Sequence, residues 1–292
     1  MSEPSVTTGQ HLNMDDREAT VPAVELRSIR HGFGQGANFL PVVEDVSISI
    51  PDGQFVSVVG PSGCGKSTLL RLISGLSPPV GGEVFVHGSK VTGIRTDVGY
   101  MFQVDALLPW RTVLDNVGLP LKFKGRPRAE RDKHAREWIR IVGLSGFENA
   151  FPHQLSGGMR KRVSLACTLV ASPRVILMDE PFSALDVQTR SLMEDELMAI
   201  WQRERKTVVF ITHDLEEAIA LSDNVVVLSA RPTRVKGVYP IPLPRPRNVL
   251  DIRSDIDFHG IYTRLWEDMR DEVMAGYQQE RQAAGMSVSS PE

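Results

Sequence analysis

The chain has 292 residues, of which 41% are hydrophobic and 24% charged, and its formal net charge at pH 7 is −3. These values are typical of a globular protein with a buried core, and they give no overall attraction to nucleic acid. No segment approaches the run of about eighteen apolar residues that a membrane-spanning helix requires. Residues 1–21 are polar and lack the apolar stretch of a signal peptide, so we expect a disordered leader.

Four short apolar runs predict a parallel β-sheet covered by helices on both faces. The runs are uninterrupted and rich in β-branched residues, as in strands buried on both faces. Each is followed by a turn and a helical pattern, which is typical of doubly wound α/β folds. The runs are FVSVV (55–59), VILM (175–178), VVFI (208–211) and VVVL (225–228).

Helical periodicity predicts three further features, and proline content predicts a fourth. Leu69, Leu72, Ile73 and Leu76 mark one face of a helix that ends before Ser77-Pro78-Pro79, and residues 104–172 form a helical insertion between sheet segments. The proline-rich residues 231–247 are expected to be an extended surface segment. A final amphipathic helix is expected to pack on its own domain, through Phe258, Ile261, Tyr262, Leu265, Met269 and Val273.

The first chemical motif is a phosphate-binding loop after the first predicted strand. It runs through Gly60, Pro61, Ser62, Gly63, Cys64, Gly65, Lys66, Ser67 and Thr68. Its glycines let backbone N–H groups converge on phosphates at a helix N-terminus. We expect Lys66 to neutralise the β- and γ-phosphates and Ser67 to offer its hydroxyl to Mg²⁺. Cys64 lies beside that helix N-terminus, which predicts a lowered thiol pKa and faster alkylation, although for its function we prefer the simpler interpretation of a small residue that fits the loop.

Polar residues also follow two later strands. Asp179 ends one strand and is placed to hold Mg²⁺, and Glu180 can act as the base for an attacking water. His213 follows another strand at the edge where parallel sheets bind ligands. We favour a role as donor to a γ-phosphate, although Thr212 or Asp214 could also cap the following helix, and both can be true.

A second glycine-rich turn, QLSGGMRKR (154–162), is unexpected in a protein with one phosphate loop. Ser156 is a good helix N-cap, and Gly157 and Gly158 leave backbone amides uncovered at a helix start. By itself this pattern is compatible either with a second anion site or with a capped helix after a loop.

The set GPSGCGKST, Gln103, LSGGM, VILMDE, SALD and THD, in that order, resembles the ATP-binding subunit of an ABC transporter over residues 22–245. The resemblance implies a P-loop NTPase fold of class α/β: a parallel-sheet ATPase core, an N-terminal antiparallel β portion and an α-helical subdomain inserted at about 104–172. Residues 246–292 would be a C-terminal helical extension and flexible tail. ATP and Mg²⁺ are the implied cofactors. Two copies would pack head to tail, so that each LSGG covers the ATP on its partner.

The resemblance also implies residue roles. Phe33 matches the aromatic that stacks on adenine, with Phe39 as a weaker candidate, and Gln103 matches the glutamine that senses Mg²⁺ and the attacking water. Ser156, Gly157 and Gly158 match the trans contacts to the γ-phosphate, and Asp186 matches an acidic residue that communicates between the two ATP sites. Lys161 departs from the glutamine usual at its position, and Cys167 from the usual arginine.

The segments QVDALLPWRTVLDNV (103–117) and DVQTRSLMEDEL (186–197) resemble those of importers of nitrate, sulfonate and taurine. This implies a peripheral subunit on the cytoplasmic face of the cell membrane, joined to separate permease subunits and indirectly to a substrate-binding protein. Leu107, Leu108, Pro109 and Trp110 would lie beside the groove that receives the permease, with Trp110 exposed. The alternative is an ABC ATPase that acts as an ATP-dependent regulatory switch.

Overall fold

Residues 21–34 and 36–283 are described by the computed structural model, so nearly all of the predicted leader and the end of the predicted tail lie outside the described residues. A six-stranded sheet forms the centre of the fold. Its strands are β3 (Phe55–Val59), β6 (Val98–Met101), β7 (Val175–Asp179), β8 (Thr207–Ile211), β9 (Asn224–Leu228) and β10 (Val235–Pro240). The order is β10-β9-β3-β8-β7-β6, and every pairing is parallel except β10 with β9. The four predicted strands are therefore confirmed.

A second, antiparallel sheet precedes and flanks this core. It comprises β1 (Val24–Phe33), β2 (Leu40–Ile50), β4 (Gly81–Val86) and β5 (Ser89–Lys90), in the order β2-β1-β4-β5. The predicted N-terminal antiparallel portion is confirmed by these pairings.

The described residues also contain nine α-helices. Helix α1 (Lys66–Ile73) follows β3, and four helices lie between β6 and β7: α2 (Val113–Val117), α3 (Leu119–Phe123), α4 (Arg128–Ile141) and α5 (Gly157–Leu169). The remainder are α6 (Val187–Glu204), α7 (Leu215–Leu221), α8 (Val249–Ile252) and α9 (Ile256–Ala283). Within the described residues, no helix is long and apolar enough to cross a bilayer.

Alternate residues of the central strands enter two separate hydrophobic cores. Val56 and Val58 pack with α1 and the antiparallel sheet, whereas Phe55 and Val59 pack with α5, α6, α7 and α9 on the opposite face. This explains why the strands have no polar face: successive side chains point to opposite sides, and both sides are covered.

Two predicted elements differ from the structure. Helix α1 ends at Ile73, and Leu76 is 46% exposed beyond it, because Gly75 adopts φ 75° and passes too close to the Gly93 carbonyl for any side chain. The proline-rich segment is also not simply a surface segment. Its residues 235–240 form the edge strand β10, and Ile241 and Leu243 are buried.

The C-terminal helix packs on its own domain, as predicted. Phe258, Leu265 and Met269 of α9 are buried in the core that contains α7. Before it, the buried Arg247 donates hydrogen bonds to carbonyls that include those of Ser222 and Leu243, at 2.6 and 2.8 Å. The C-terminal extension is thus joined to the rest of the fold by apolar packing and by a buried guanidinium.

Candidate nucleotide site

The phosphate loop connects the end of β3 to the start of α1. Gly63 and Gly65 have φ of 65° and 116°, a region that favours glycine, so the sequence spacing dictates this turn. Lys66 is 6% exposed, and its ammonium donates to the carbonyls of Gly60 and Pro61, both at 2.9 Å. The charge is therefore held across the loop, where phosphate oxygens can take the place of these carbonyls.

Ser67 and Asp179 come together although they are 112 positions apart. The Ser67 hydroxyl donates to Asp179 Oδ1 at 2.8 Å, and the Tyr100 hydroxyl donates to Oδ2 at 3.2 Å. Burial raises the pKa of Asp179, and the nearby Glu180 acts in the same direction, while the two hydroxyls oppose the shift. A hydroxyl beside a carboxylate is the oxygen set that Mg²⁺ accepts, since this ion keeps water and phosphate as its other ligands.

Glu180 and His213 face each other at the ends of adjacent strands. His213 Nδ1 lies 3.1 Å from Glu180 Oε2, and the histidine side chain is 55% exposed. Asp214 caps α7 by accepting from the N–H groups of Glu216 and Glu217, so the predicted cap is confirmed. The cap leaves the His213 ring outside the helix, where it is accessible to a ligand.

Cys64 contradicts the expectation of a reactive thiol. The residue is 1% exposed, and burial raises the pKa of its thiol, an effect that the nearby Lys66 only partly offsets. Since burial disfavours the thiolate more strongly than the helix N-terminus favours it, the side chain acts as a small core residue.

The second glycine-rich turn begins α5. Ser156 is exposed and accepts from the Met159 N–H at 3.3 Å, so it is the N-cap. A Cβ on Gly158 would lie 2.9 Å from Thr189 of α6, whereas Gly157 has more space. Asp186 caps α6 by accepting from the Thr189 N–H at 3.0 Å, and these backbone hydrogen bonds lower its pKa.

Gln103 is exposed in the loop after β6, and this loop is fixed to α5. Lys161 is 4% exposed, donates to the Gln103 carbonyl at 2.5 Å and pairs with Asp105 at 3.2 Å. Arg160 pairs with the same carboxylate at 2.9 Å. The departure at Lys161 therefore supplies a direct link between the Gln103 loop and the glycine-rich turn.

Sequence reasoning missed two of these residues. Tyr100 and Asp105 lie in or beside the short strand β6, and neither carries a motif that would have indicated its partner. Phe33 ends β1, is 52% exposed and stands edge-on to His31. Phe39 is 40% exposed nearby.

An apolar groove of about 400 Å³ runs between β6 and the helical insertion. Phe102, Leu107 and Phe123 line it, and the Phe102 ring stacks on Tyr100. Trp110, beyond the groove, is 72% exposed, as predicted. Exposed aromatic side chains of this kind are common anchors of protein interfaces.

A glycine-rich loop between a buried strand and a helix, with carboxylates and a histidine at neighbouring strand ends, defines a P-loop ATPase. A family model described as ABC transporter matches residues 43–183. An uncharacterized ABC transporter ATP-binding protein of Methanocaldococcus jannaschii is 47% identical over 242 residues, covering 83% of this chain and 89% of its own length. The chain belongs to the family of ABC transporter ATP-binding proteins.

Two further comparisons extend this assignment. The aliphatic sulfonates import ATP-binding protein SsuB of Bacillus cereus is 40% identical over 225 residues, which is 77% of this chain and 88% of that protein. Among solved structures, a dimeric, post-hydrolysis state of the ATP-binding cassette MJ0796 with ADP and Pi aligns at 33% identity with a TM-score of 0.67. That alignment covers 76% of this chain and all of the other. The chain is thus an ATPase of this family.

Proposed function

We propose that this protein is the ATP-hydrolysing subunit of an importer, and that it powers uptake of a small solute such as a sulfonate, nitrate or taurine through a separate permease at the cytoplasmic face of the membrane. The likeness to an aliphatic sulfonate import protein supports an importer of this kind. The groove between β6 and the helical insertion supports a permease contact, because it is apolar and open and is lined by the exposed aromatic side chains of Phe102 and Phe123.

Hydrolysis would use the groups at the strand ends. Lys66 and the loop amides would hold the β- and γ-phosphates, with Phe33 against the adenine. Glu180 would accept the proton of the attacking water, and the His213 ring, 3.1 Å from it, would orient that base or donate to the γ-phosphate.

Ser67 and Asp179 fit Mg²⁺, with the exposed Gln103 as a third oxygen donor. The bound ion would neutralise charge on the transferring phosphoryl group. Among the described residues, no cluster of three or more acidic, histidine or cysteine side chains could hold a metal. The chain would therefore supply few ligands, as expected for Mg²⁺ bound together with a nucleotide.

The observation that carries the dimeric mechanism is the exposed start of α5. Ser156, Gly157 and Gly158 present backbone amides at a helix N-terminus, and the Ser156 hydroxyl accepts a hydrogen bond from its own helix, at the Met159 N–H. The dimeric state of the cassette with ADP and Pi supports a second copy as the partner that supplies the phosphate. We infer that each site combines Lys66 of one subunit with Ser156 of the other.

Mixing two inactive variants tests this arrangement. Lys66→Ala and Ser156→Arg should each abolish hydrolysis, while an equimolar mixture assembles one composite site with both residues intact. We expect the mixture to recover up to about a quarter of the wild-type rate, because half of the dimers are mixed and each has one intact site. Ser156→Arg should also bind ATP with nearly wild-type affinity. A mixture of folded, dimeric chains that stays inactive would contradict the trans arrangement.

A further inference from the structure

The C-terminal half of α9 lies directly on the phosphate loop. Gly276 is buried, and a Cβ on it would be 2.9 Å from Pro61 Cβ, so the helix approaches the loop as closely as a glycine permits. Beside this contact, a cleft of about 310 Å³ separates α9 from the site; Trp266 lines it on the helix side, and Ser62 and His213 line it on the other. The helix therefore borders two loops that carry the chemistry.

A second connection passes through the segment 230–233, which follows β9. Gln279 of α9 donates to the Arg231 carbonyl at 2.8 Å, and Glu272 accepts from the Ala230 N–H at 2.9 Å. Glu272 also pairs with Lys236 of β10 at 3.0 Å. These contacts fix the backbone of the segment to the helix from one side.

The same segment reaches the phosphate loop from its other side. The buried Thr233 hydroxyl donates to the Cys64 carbonyl. A terminal nitrogen of the Arg231 guanidinium lies 2.7 Å from the position that a Cβ of Gly63 would occupy. Gly63 adopts a positive φ, which the tight turn of the loop requires. Because the guanidinium packs directly against this residue, it restricts how the loop can move.

We propose that α9 positions the phosphate loop, with Gly276 as the direct contact and Arg231 as the positioning residue that transmits the state of the helix to Gly63. This inference rests on the proposed binding of ATP at the loop. The family model matches residues 43–183, and α9 lies outside that range. Coupling between sites is reciprocal: if α9 affects ATP affinity, ATP must affect α9. Any partner that held or displaced this helix would then change nucleotide affinity.

Two glycines of the same helix provide a matched comparison. Gly276→Ala places a methyl group against Pro61, whereas Gly260→Ala meets nothing within 4 Å, and both changes favour the helix equally. In the full-length protein, we expect Gly276→Ala to weaken equilibrium ATP binding by at least about fivefold, the lower end of typical coupling between sites. Gly260→Ala should bind ATP like the wild type. Equal, wild-type affinities for both variants would overturn the proposal.

The role of Arg231 is tested by the response of α9 to ATP, which a loss of protein stability alone would not abolish. Hydrogen exchange of α9 amides should slow when ATP is added to the wild-type protein, and this response should disappear in Arg231→Ala. Arg231→Lys keeps a cation but not the planar fork, so it should recover part of the response. Gln279 bonds to the Arg231 backbone, so its contact survives both changes. If the wild-type protein binds ATP but hydrogen exchange in α9 does not change, this inference is refuted and the proposed function is not. A wild-type protein that failed to bind ATP would instead refute the proposed function.

Discussion

Replacing Glu217 with glutamine should make the protein more stable at neutral and alkaline pH. Glu217 is 5% exposed in α7, and its Oε1 is buried without a hydrogen-bond partner. Burial raises the pKa of this carboxyl from its ordinary value of 4.5 to about 8; Glu194 and Asp214 act in the same direction, and Thr212 opposes the shift. The side chain is thus a neutral acid in the folded protein at pH 7.

The magnitude follows from the two pKa values. The folded protein binds this proton more tightly than the unfolded chain, so the stability it contributes is complete below pH 4.5 and is lost as pH rises toward 8. The loss is about 1.4 kcal/mol per pH unit, or roughly 3 kcal/mol at pH 7, and an uncharged glutamine of the same shape does not incur it.

Urea denaturation at several pH values between 6 and 8 measures this difference. The free energy of unfolding of Glu217→Gln should rise relative to the wild type by about 2 to 3 kcal/mol across the range. Glu216→Gln is the matched control, because it removes a carboxyl from the exposed side of the same helix. If wild type and Glu217→Gln gave parallel curves, the reasoning from a buried neutral acid would be refuted.

Three further predictions concern side chains whose environment the structure defines. Lys161→Met should lower the free energy of unfolding by about 1.5 to 3 kcal/mol, because the Gln103 carbonyl and Asp105 lose a charged donor; Lys161→Gln keeps a donor and should lose less in the same urea titration. Cys64 should react with iodoacetamide at pH 8 far more slowly in the folded protein than in urea, as followed by mass spectrometry, and equal rates would contradict its burial and raised pKa. Arg247→Met should destabilise the protein by about 3 kcal/mol or more in thermal or urea unfolding, because it leaves several buried carbonyls unpaired; a loss below about 1 kcal/mol would show that water replaces the guanidinium.

The parts of the fold that the sequence predicts are those determined by local patterns. Continuous β-branched runs indicate β3, β7, β8 and β9, because both faces of these strands are covered. Strand β6 has no such run: it is VGYM, half-buried, and contains a glycine. Strand β10 lies in a proline-rich segment and ends at Pro240, so its sequence does not indicate a strand; an edge strand nevertheless tolerates proline where no partner needs the N–H.

The residues of the site also divide into those that local sequence patterns predict and those that they do not. Asp179 ends a strand, and the phosphate loop, Glu180 and His213 come just after strands, so their positions can be predicted from the strands alone. Contacts such as Lys161 with the Gln103 carbonyl, or Gly276 with Pro61, join segments that are far apart in the sequence. No local sequence pattern links the two segments of either contact, so these contacts cannot be predicted. The burial of Cys64 is equally non-local, because Thr233, 169 positions later, helps to enclose it.

The order of the central strands fixes the spacing of the loops that carry the site residues. Strand β8, which precedes His213, lies between β3, which precedes the phosphate loop, and β7, which ends at Asp179. Neighbouring strands are about 4.8 Å apart, so hydrogen-bonded backbone alone sets the separation of these three loops at their origin. Movements of the surrounding helices can open or close access to the nucleotide without changing that spacing. A substitution in a helix should therefore alter how often the site assembles, whereas one that shifts β8 should alter the reaction itself.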